Sequence, residues 1–250
     1  MVFNSKKELV LFLRNLKEIG FGSQGVCYYN PRDKKIYKIY HQFFDKDLDP
    51  DYFVHYTESE IMRFSHINNN TFIWPEDTII LNGEVVGYIT QYVNAKSLYK
   101  INPLTVNLDT FYDAIINAKK DIDLISNYKV VTMDMMYNVL YNNSFSIIDA
   151  DDYYYLDDDK DIEINRQINH NNFNMEIYYF LVDGIFENFV NANKELRELY
   201  GSKKEDVLIF LKLFRQYLSE MVGNEITSLK ETRAYADKLL VVNRYQRGYR

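Results

Sequence analysis

Three residue groups in this 250-residue chain have types and spacings that could handle phosphate. The first is Gly20-Phe-Gly22-Ser-Gln-Gly25-Val-Cys27, a G-x-G-x-x-G run. Glycines let backbone amides approach phosphate oxygens closely, because they carry no Cβ and tolerate unusual dihedrals. A dinucleotide-binding fingerprint would need a helix to open right after the run; the residues there are VCYYNPRDKKIYKIY, a hairpin in strand-rich sequence. That context predicts a glycine-rich lid between two antiparallel strands. The second group is Lys35-Ile36-Tyr37-Lys38, a lysine-bearing strand whose Lys38 stands thirteen residues beyond Gly25. The third lies far along the chain, where Asp134-Met-Met-Tyr-Asn138-Val-Leu140 is succeeded, after a turn, by Ile147-Ile148-Asp149-Ala150-Asp151. An Asp and a carboxamide projecting from neighbouring turns are oxygen donors that could grip a metal ion together.

The elements that must carry these groups are set by hydrophobic period. VCYYN, KKIYKIY, TFIWP, DTIIL and EVVGYITQYV are short, β-branched and aromatic, with Asn30-Pro31-Arg32-Asp33 and Asn82-Gly83 as turns. One helical segment is expected around residues 50 to 67. From Leu108 the period changes to helical, through Phe111, Ile115, Ile122 and Ile125. Further helices are expected near 174 to 194, 203 to 223 and 228 to 241. VVTMDMMYNVLYNNSFSIIDADD reads as two short strands joined by an Asn-Asn-Ser turn. The fold class is thus α+β, with a β-rich half, a connector near 91 to 107 and a helical half.

In order and spacing these groups resemble a protein kinase. The resemblance spans roughly residues 16 to 194 and implies a bilobal fold: a small antiparallel sheet with one helix over 1–93, and a mainly helical lobe over 94–250. It implies ATP and Mg²⁺ as cofactors. Lys38 would contact the α and β phosphates, and Glu58, with Glu60 as the alternative, would pair with Lys38 from the next helix. Gly20, Gly22, Gly25, Cys27, Ile36 and Leu140 would contact the nucleotide. Thr90 would stand behind the adenine, and backbone groups of Gln91 and Val93 would bond its edge. Asp134 would orient the acceptor hydroxyl, while Asn138 and Asp149 would bind metal. The activity implied is transfer of the ATP γ-phosphate to a hydroxyl, on a protein or a small molecule. The alternatives are a pseudokinase that binds nucleotide or a partner without transfer, and a small-molecule kinase of the aminoglycoside-phosphotransferase type.

The chain departs from the family pattern at several points. Thr132-Met133 stands where H-R is usual, and the step from Asp134 to Asn138 is one residue shorter than the family's five. Asp151 replaces the glycine of D-F-G, which is similar to aminoglycoside and choline phosphotransferases. Asn174 to Leu181 resembles the start of the family's central helix, with Asn for Asp. Between Asp149 and Asn174 there is no Ser or Thr, so control by Ser/Thr phosphorylation of that loop is not expected.

Composition limits the partners. The net charge of -7 provides no overall positive field for nucleic acid or an anionic membrane, although Arg244, Arg247 and Arg250 make the last residues locally basic. A lone Cys27 cannot form an internal disulfide, and no Cys and His pair shows zinc spacing. Leu9 to Leu13 is too short an apolar run for a signal-peptide core, and no stretch approaches the roughly 18 to 20 apolar residues that span a bilayer. The expected setting is the cytoplasm. Asp157-Asp158-Asp159 lacks the glycine and terminal Glu of a calcium loop, and the four histidines are scattered.

Overall fold

A computed structural model describes residues 1–45, 53–157, 160–182, 185–202 and 206–235. The fold is α+β, a six-stranded, mostly antiparallel sheet accompanied by helices. The chain divides into two compact units. One holds residues 1–68, 72–94 and 148–151, and the other 69–71, 95–147 and 152–250. The segment 148–151 thus leaves the second half of the sequence to join the first unit.

In the first unit the elements are β1 (Val2–Phe3), α1 (Lys6–Leu13), β2 (Lys17–Phe21), β3 (Gly25–Asn30), β4 (Lys35–Tyr40), α2 (His41–Phe44), α3 (Glu58–Met62), β5 (Pro75–Leu81) and β6 (Glu84–Gln91). The sheet order is β1-β5-β6-β4-β3-β2, with only the β1–β5 pair parallel. The glycine-rich run does connect two antiparallel strands, β2 and β3. Asn82 and Gly83 both take positive φ, 53° and 87°, as a tight two-residue hairpin turn between β5 and β6 requires. TFIWP contributes only Pro75 to a strand. Its aromatic residues serve the core instead, with Phe72 and Trp74 stacked at 5.3 Å and the indole N–H donating to Ile67 O at 3.0 Å.

The apolar run at Leu9 to Leu13 forms a helix, α1, that the hydrophobic pattern had not suggested. Ser5 caps it, its hydroxyl accepting from Glu8 N at 3.2 Å, and Leu9 and Leu13 fall on the buried face. They pack with Tyr37, Ile39, Ile79 and Ile89 into one apolar cluster on one face of the sheet. Strand residues alternate between faces, so Tyr37 and Ile39 turned into that cluster send Lys38 and Tyr40 to the other face.

The second unit contains β7 (Lys96–Ser97), α4 (Leu108–Asn127), β8 (Val130–Val131), β9 (Val139–Tyr141), β10 (Phe145–Ile147), β11 (Tyr154–Tyr155), α5 (Ile162–Val182), α6 (Glu187–Ala192), α7 (Lys194–Ser202) and α8 (Val207–Val222). α4 starts where the period predicted, capped by Asn107, whose side-chain carbonyl accepts from Thr110 N at 2.9 Å. β9 and β10 form the expected hairpin. The helix expected from 174 begins at Ile162, because Asn165 and Asn169 in its first half find buried backbone partners. The helix expected from 203 to 223 is α8, closed by Gly223 at φ 85°. Leu229–Tyr235 is a 3₁₀ segment. The rest of the helix expected to 241, and Arg244, Arg247 and Arg250, lie outside the described residues. Phe145 bridges Phe111 of α4 (5.4 Å) and Phe173 of α5 (5.1 Å), making an aromatic core under the hairpin.

Candidate functional site

In the first unit the site is built on β4. Its register places Cys27 of β3 and Tyr88 of β6 opposite Lys38, and Tyr29 and Thr90 opposite Ile36. Directly opposed residues share a face, so Cys27, Ile36, Lys38, Tyr88 and Thr90 line the sheet surface away from the apolar cluster. Two glycines let the neighbouring strands lie this close to β4. A Cβ on Gly25 would sit 2.4 Å from Ile39 O, and one on Gly87 2.0 Å from Lys38 O. Gly20 and Gly22 are under no such constraint, each hypothetical Cβ meeting its nearest atom at 3.7 Å. The turn itself is closed by Gly22 N donating to Gly25 O at 2.9 Å.

Lys38 is buried, 4% exposed, so its ammonium needs partners. It has several. Asp149 accepts from Nζ; Asp151 accepts at 3.2 and 3.1 Å through its two carboxylate oxygens; Gln24, from the glycine turn, accepts at 3.1 Å. Tyr88 OH donates to Asp149 at 3.0 Å. Burial by itself would lower the Lys38 pKa, but Asp151 and Asp149 reverse this and hold it above the ordinary lysine range. The two carboxylates are pushed apart. Asp151, buried to 2% exposure, is raised to about 6 by that burial, which Lys38 offsets only in part and the Asp149 charge reinforces. For Asp149 burial also works upward, but the Lys38 charge prevails and the carboxyl lies below its usual value. Asp149 takes φ 64°, a left-handed backbone that Asp tolerates and that often marks functional turns. Burial raises the Cys27 thiol to about 11, so it lines the face as a neutral, weakly polar side chain.

The carboxylate expected to pair with Lys38 does not do so. Glu58 is exposed and its Oε2 accepts from the Thr78 hydroxyl at 2.7 Å. Glu60 is no substitute, because it closes a capping box with Thr57, accepting from Thr57 N at 2.7 Å. The reason is local: Thr57-x-x-Glu60 caps the start of α3, so the helix's first-turn acids serve its own N-terminus and β5. Thr90 donates its hydroxyl to Trp74 O at 3.0 Å; Gln91 ends β6 exposed and Val93 comes next but one, half-buried.

In the second unit Asp134 and Asn138 form a tight turn. Asp134 (φ 34°) and Tyr137 (φ 67°) are both left-handed, which lets the five residues fold back. Asn138 Nδ2 donates to Asp134 O at 3.0 Å, which directs the amide's donor inward and leaves Oδ1 as the oxygen type a hard cation takes. Leu140 lies in β9, opposite Ser146 and Ser97. Asp134 itself is exposed.

Sequence reasoning missed what braces this turn. Asn165, Asn169 and Asn172 of α5 reach the backbone leading into it. Asn169 Oδ1 accepts from Thr132 N (3.0 Å) and Oγ1 (2.8 Å), its Nδ2 donates to Val130 O and Ser126 Oγ (both 2.9 Å), Asn165 donates to Val130 O (3.0 Å), and Asn172 to Thr132 O (3.2 Å). Spacings of four and three place all three on one helix face, the signal that could have found them. Glu176, also buried on α5, has its carboxyl raised to about 7 by burial and the charge of Asp134. Asp151 as a Lys38 partner was likewise missed, although its place two residues from Asp149 was visible.

Among the described residues no group of three or more His, Cys, Asp or Glu comes together to hold a metal ion, and no helix is long and apolar enough to cross a membrane. Magnesium commonly takes only one or two protein oxygens beside water and phosphate, and the partly exposed Asp149 carboxylate is an oxygen donor of that type. No protein-family model matches the chain, and no curated protein does.

Proposed function

We propose that this chain is an ATP- and Mg²⁺-dependent phosphotransferase with a two-lobed, protein-kinase-like arrangement, acting on a hydroxyl acceptor for which a protein is favoured over a small molecule. The observation that carries the reading is the bond between Lys38 and Asp149, residues 111 positions apart, on the sheet face shared with Cys27, Ile36 and Thr90 and next to the glycine turn. The strand pairing around β4 and the glycine turn suit a nucleotide whose phosphates lie along that face. Lys38 binds phosphate oxygens there. Asp149 and Asn138 hold Mg²⁺, which when bound neutralises charge on the phosphates. Asp134 orients the acceptor hydroxyl and takes its proton on the carboxylate, a contribution of roughly 10² to 10⁴ in rate.

A second reading is a nucleotide- or partner-binding pseudokinase. It is favoured by the saturation of Lys38: an ammonium has three donors, and Gln24, Asp149 and Asp151 already engage them. Magnesium-dependent ATP hydrolysis or autophosphorylation by the purified chain, compared with Asp149→Ala, separates the two. Activity in the wild type and loss in the variant supports the enzyme; equal signals end that claim. Asp134→Asn is expected to abolish most turnover and leave ATP binding within about twofold.

A further inference from the structure

We propose that Asp151, not a carboxylate on α3, is the positioning residue that fixes Lys38 in this chain, with Arg63 linking the end of α3 to the same short segment. This rests on the phosphotransferase reading of the site and assigns its internal scaffold.

The two aspartates after Ile148 have different surroundings. Asp149's side chain is 37% exposed, so part of its carboxylate remains open to a ligand. That of Asp151 is 1% exposed, and both its oxygens face the Lys38 ammonium at 3.1 and 3.2 Å. With both oxygens turned to one buried cation and its side chain closed to solvent, Asp151 is far less accessible to a metal than Asp149, while each charge of the pair offsets the other's desolvation. The geometry therefore divides the labour: Asp149 faces the ligand and Asp151 anchors the lysine.

The link to α3 runs through a cation. Arg63, directly after α3, donates from Nη2 to the backbone carbonyl of Asp151 at 2.9 Å. The acids of α3 are engaged elsewhere, Glu58 with Thr78 and Glu60 with Thr57. Lys38 is therefore held by the segment that also carries Asp149, and the placement of the phosphate-binding ammonium does not depend on an ion pair to the helix.

The test uses the full chain labelled with ¹⁵N-lysine, free of metal and nucleotide. A buried, paired ammonium exchanges its protons slowly enough to give a side-chain signal, and Lys38→Arg assigns it. The Lys38 signal is expected to stay in place in Glu58→Gln and Glu60→Gln, and to move or vanish in Asp151→Asn. A shift in Glu58→Gln overturns the proposal, and that variant of an exposed residue decides the matter even if Asp151→Asn does not fold. A second measurement is ATP affinity with and without Mg²⁺. Asp151→Asn is expected to weaken metal-free ATP binding about tenfold or more, with Asp151→Glu recovering part of it. A loss seen only when Mg²⁺ is present makes Asp151 a metal ligand and also overturns the proposal. A wild type that shows the predicted lysine signals yet binds no ATP leaves the Asp151 anchor standing and removes the phosphotransferase reading alone.

Discussion

Replacing Lys38 by methionine keeps most of the side-chain volume but removes the cation that bonds both oxygens of Asp151's carboxylate. Both partners are buried, at 4% and 2% exposure, and breaking such a pair by removing one member costs about 3 to 5 kcal/mol. The pH dependence is the sharper test. An unfolded Asp titrates near 3.9, whereas native Asp151 is pushed up to about 6 with Lys38 still pulling it down. A group that binds its proton more tightly in the native state destabilises that state as pH rises from the unfolded value to the native one. In the wild type this loss ends near pH 6. In Lys38→Met the native value is higher still, so the loss continues, and the stability gap between the proteins widens by about 1.4 kcal/mol per pH unit. Between about pH 6 and 8 the gap is expected to grow by roughly 2 to 3 kcal/mol, while from about pH 5 to 6 it stays level. Asp149 adds less, because solvent screens its partly exposed carboxylate. Urea unfolding monitored by fluorescence of the single tryptophan, Trp74, which is buried on Phe72, measures it. Parallel stability profiles for the two proteins over that upper range would refute the buried-pair argument.

Gly25→Ala is expected to cost about 2 to 4 kcal/mol, since its Cβ meets backbone at 2.4 Å, whereas Gly22→Ala, with 3.7 Å of clearance, stays within about 0.5 kcal/mol; thermal melts that rank them equally contradict the strand-packing account. Asn169→Leu takes away the side-chain partner of the Thr132 N–H and of several other buried groups, and a loss of about 3 kcal/mol or more is expected by denaturant unfolding. Glu176→Gln tests the raised carboxyl. The wild type loses stability as pH rises from the unfolded value, about 4.3, to about 7, so the variant's melting temperature is expected to match it near about pH 4 and exceed it at about pH 8.

Local chemistry was legible along the chain. The Asn82-Gly83 turn, the short β-branched and aromatic runs that become β3, β4 and β6, the switch of period at Leu108 and the hairpin after Asp134 all depend on neighbours in sequence, and the structure bears each out. The resemblance to the kinase pattern singled out Lys38, Asp149, Asp134 and Asn138, and the structure brings Lys38 and Asp149 together. Partner choice was another matter. Whether Lys38 bonds Glu58 or Asp151 depends on a chain reversal that brings 148–151 to the first unit, and on a competition in which Thr57 and Thr78 hold the α3 acids. Asparagines at 165, 169 and 172 disfavour a helix by propensity, yet α5 runs through them because their amides satisfy buried backbone that would otherwise be costly to desolvate. Such pairings are set by the free energy of burying polar groups together, and that is decided only when distant segments meet.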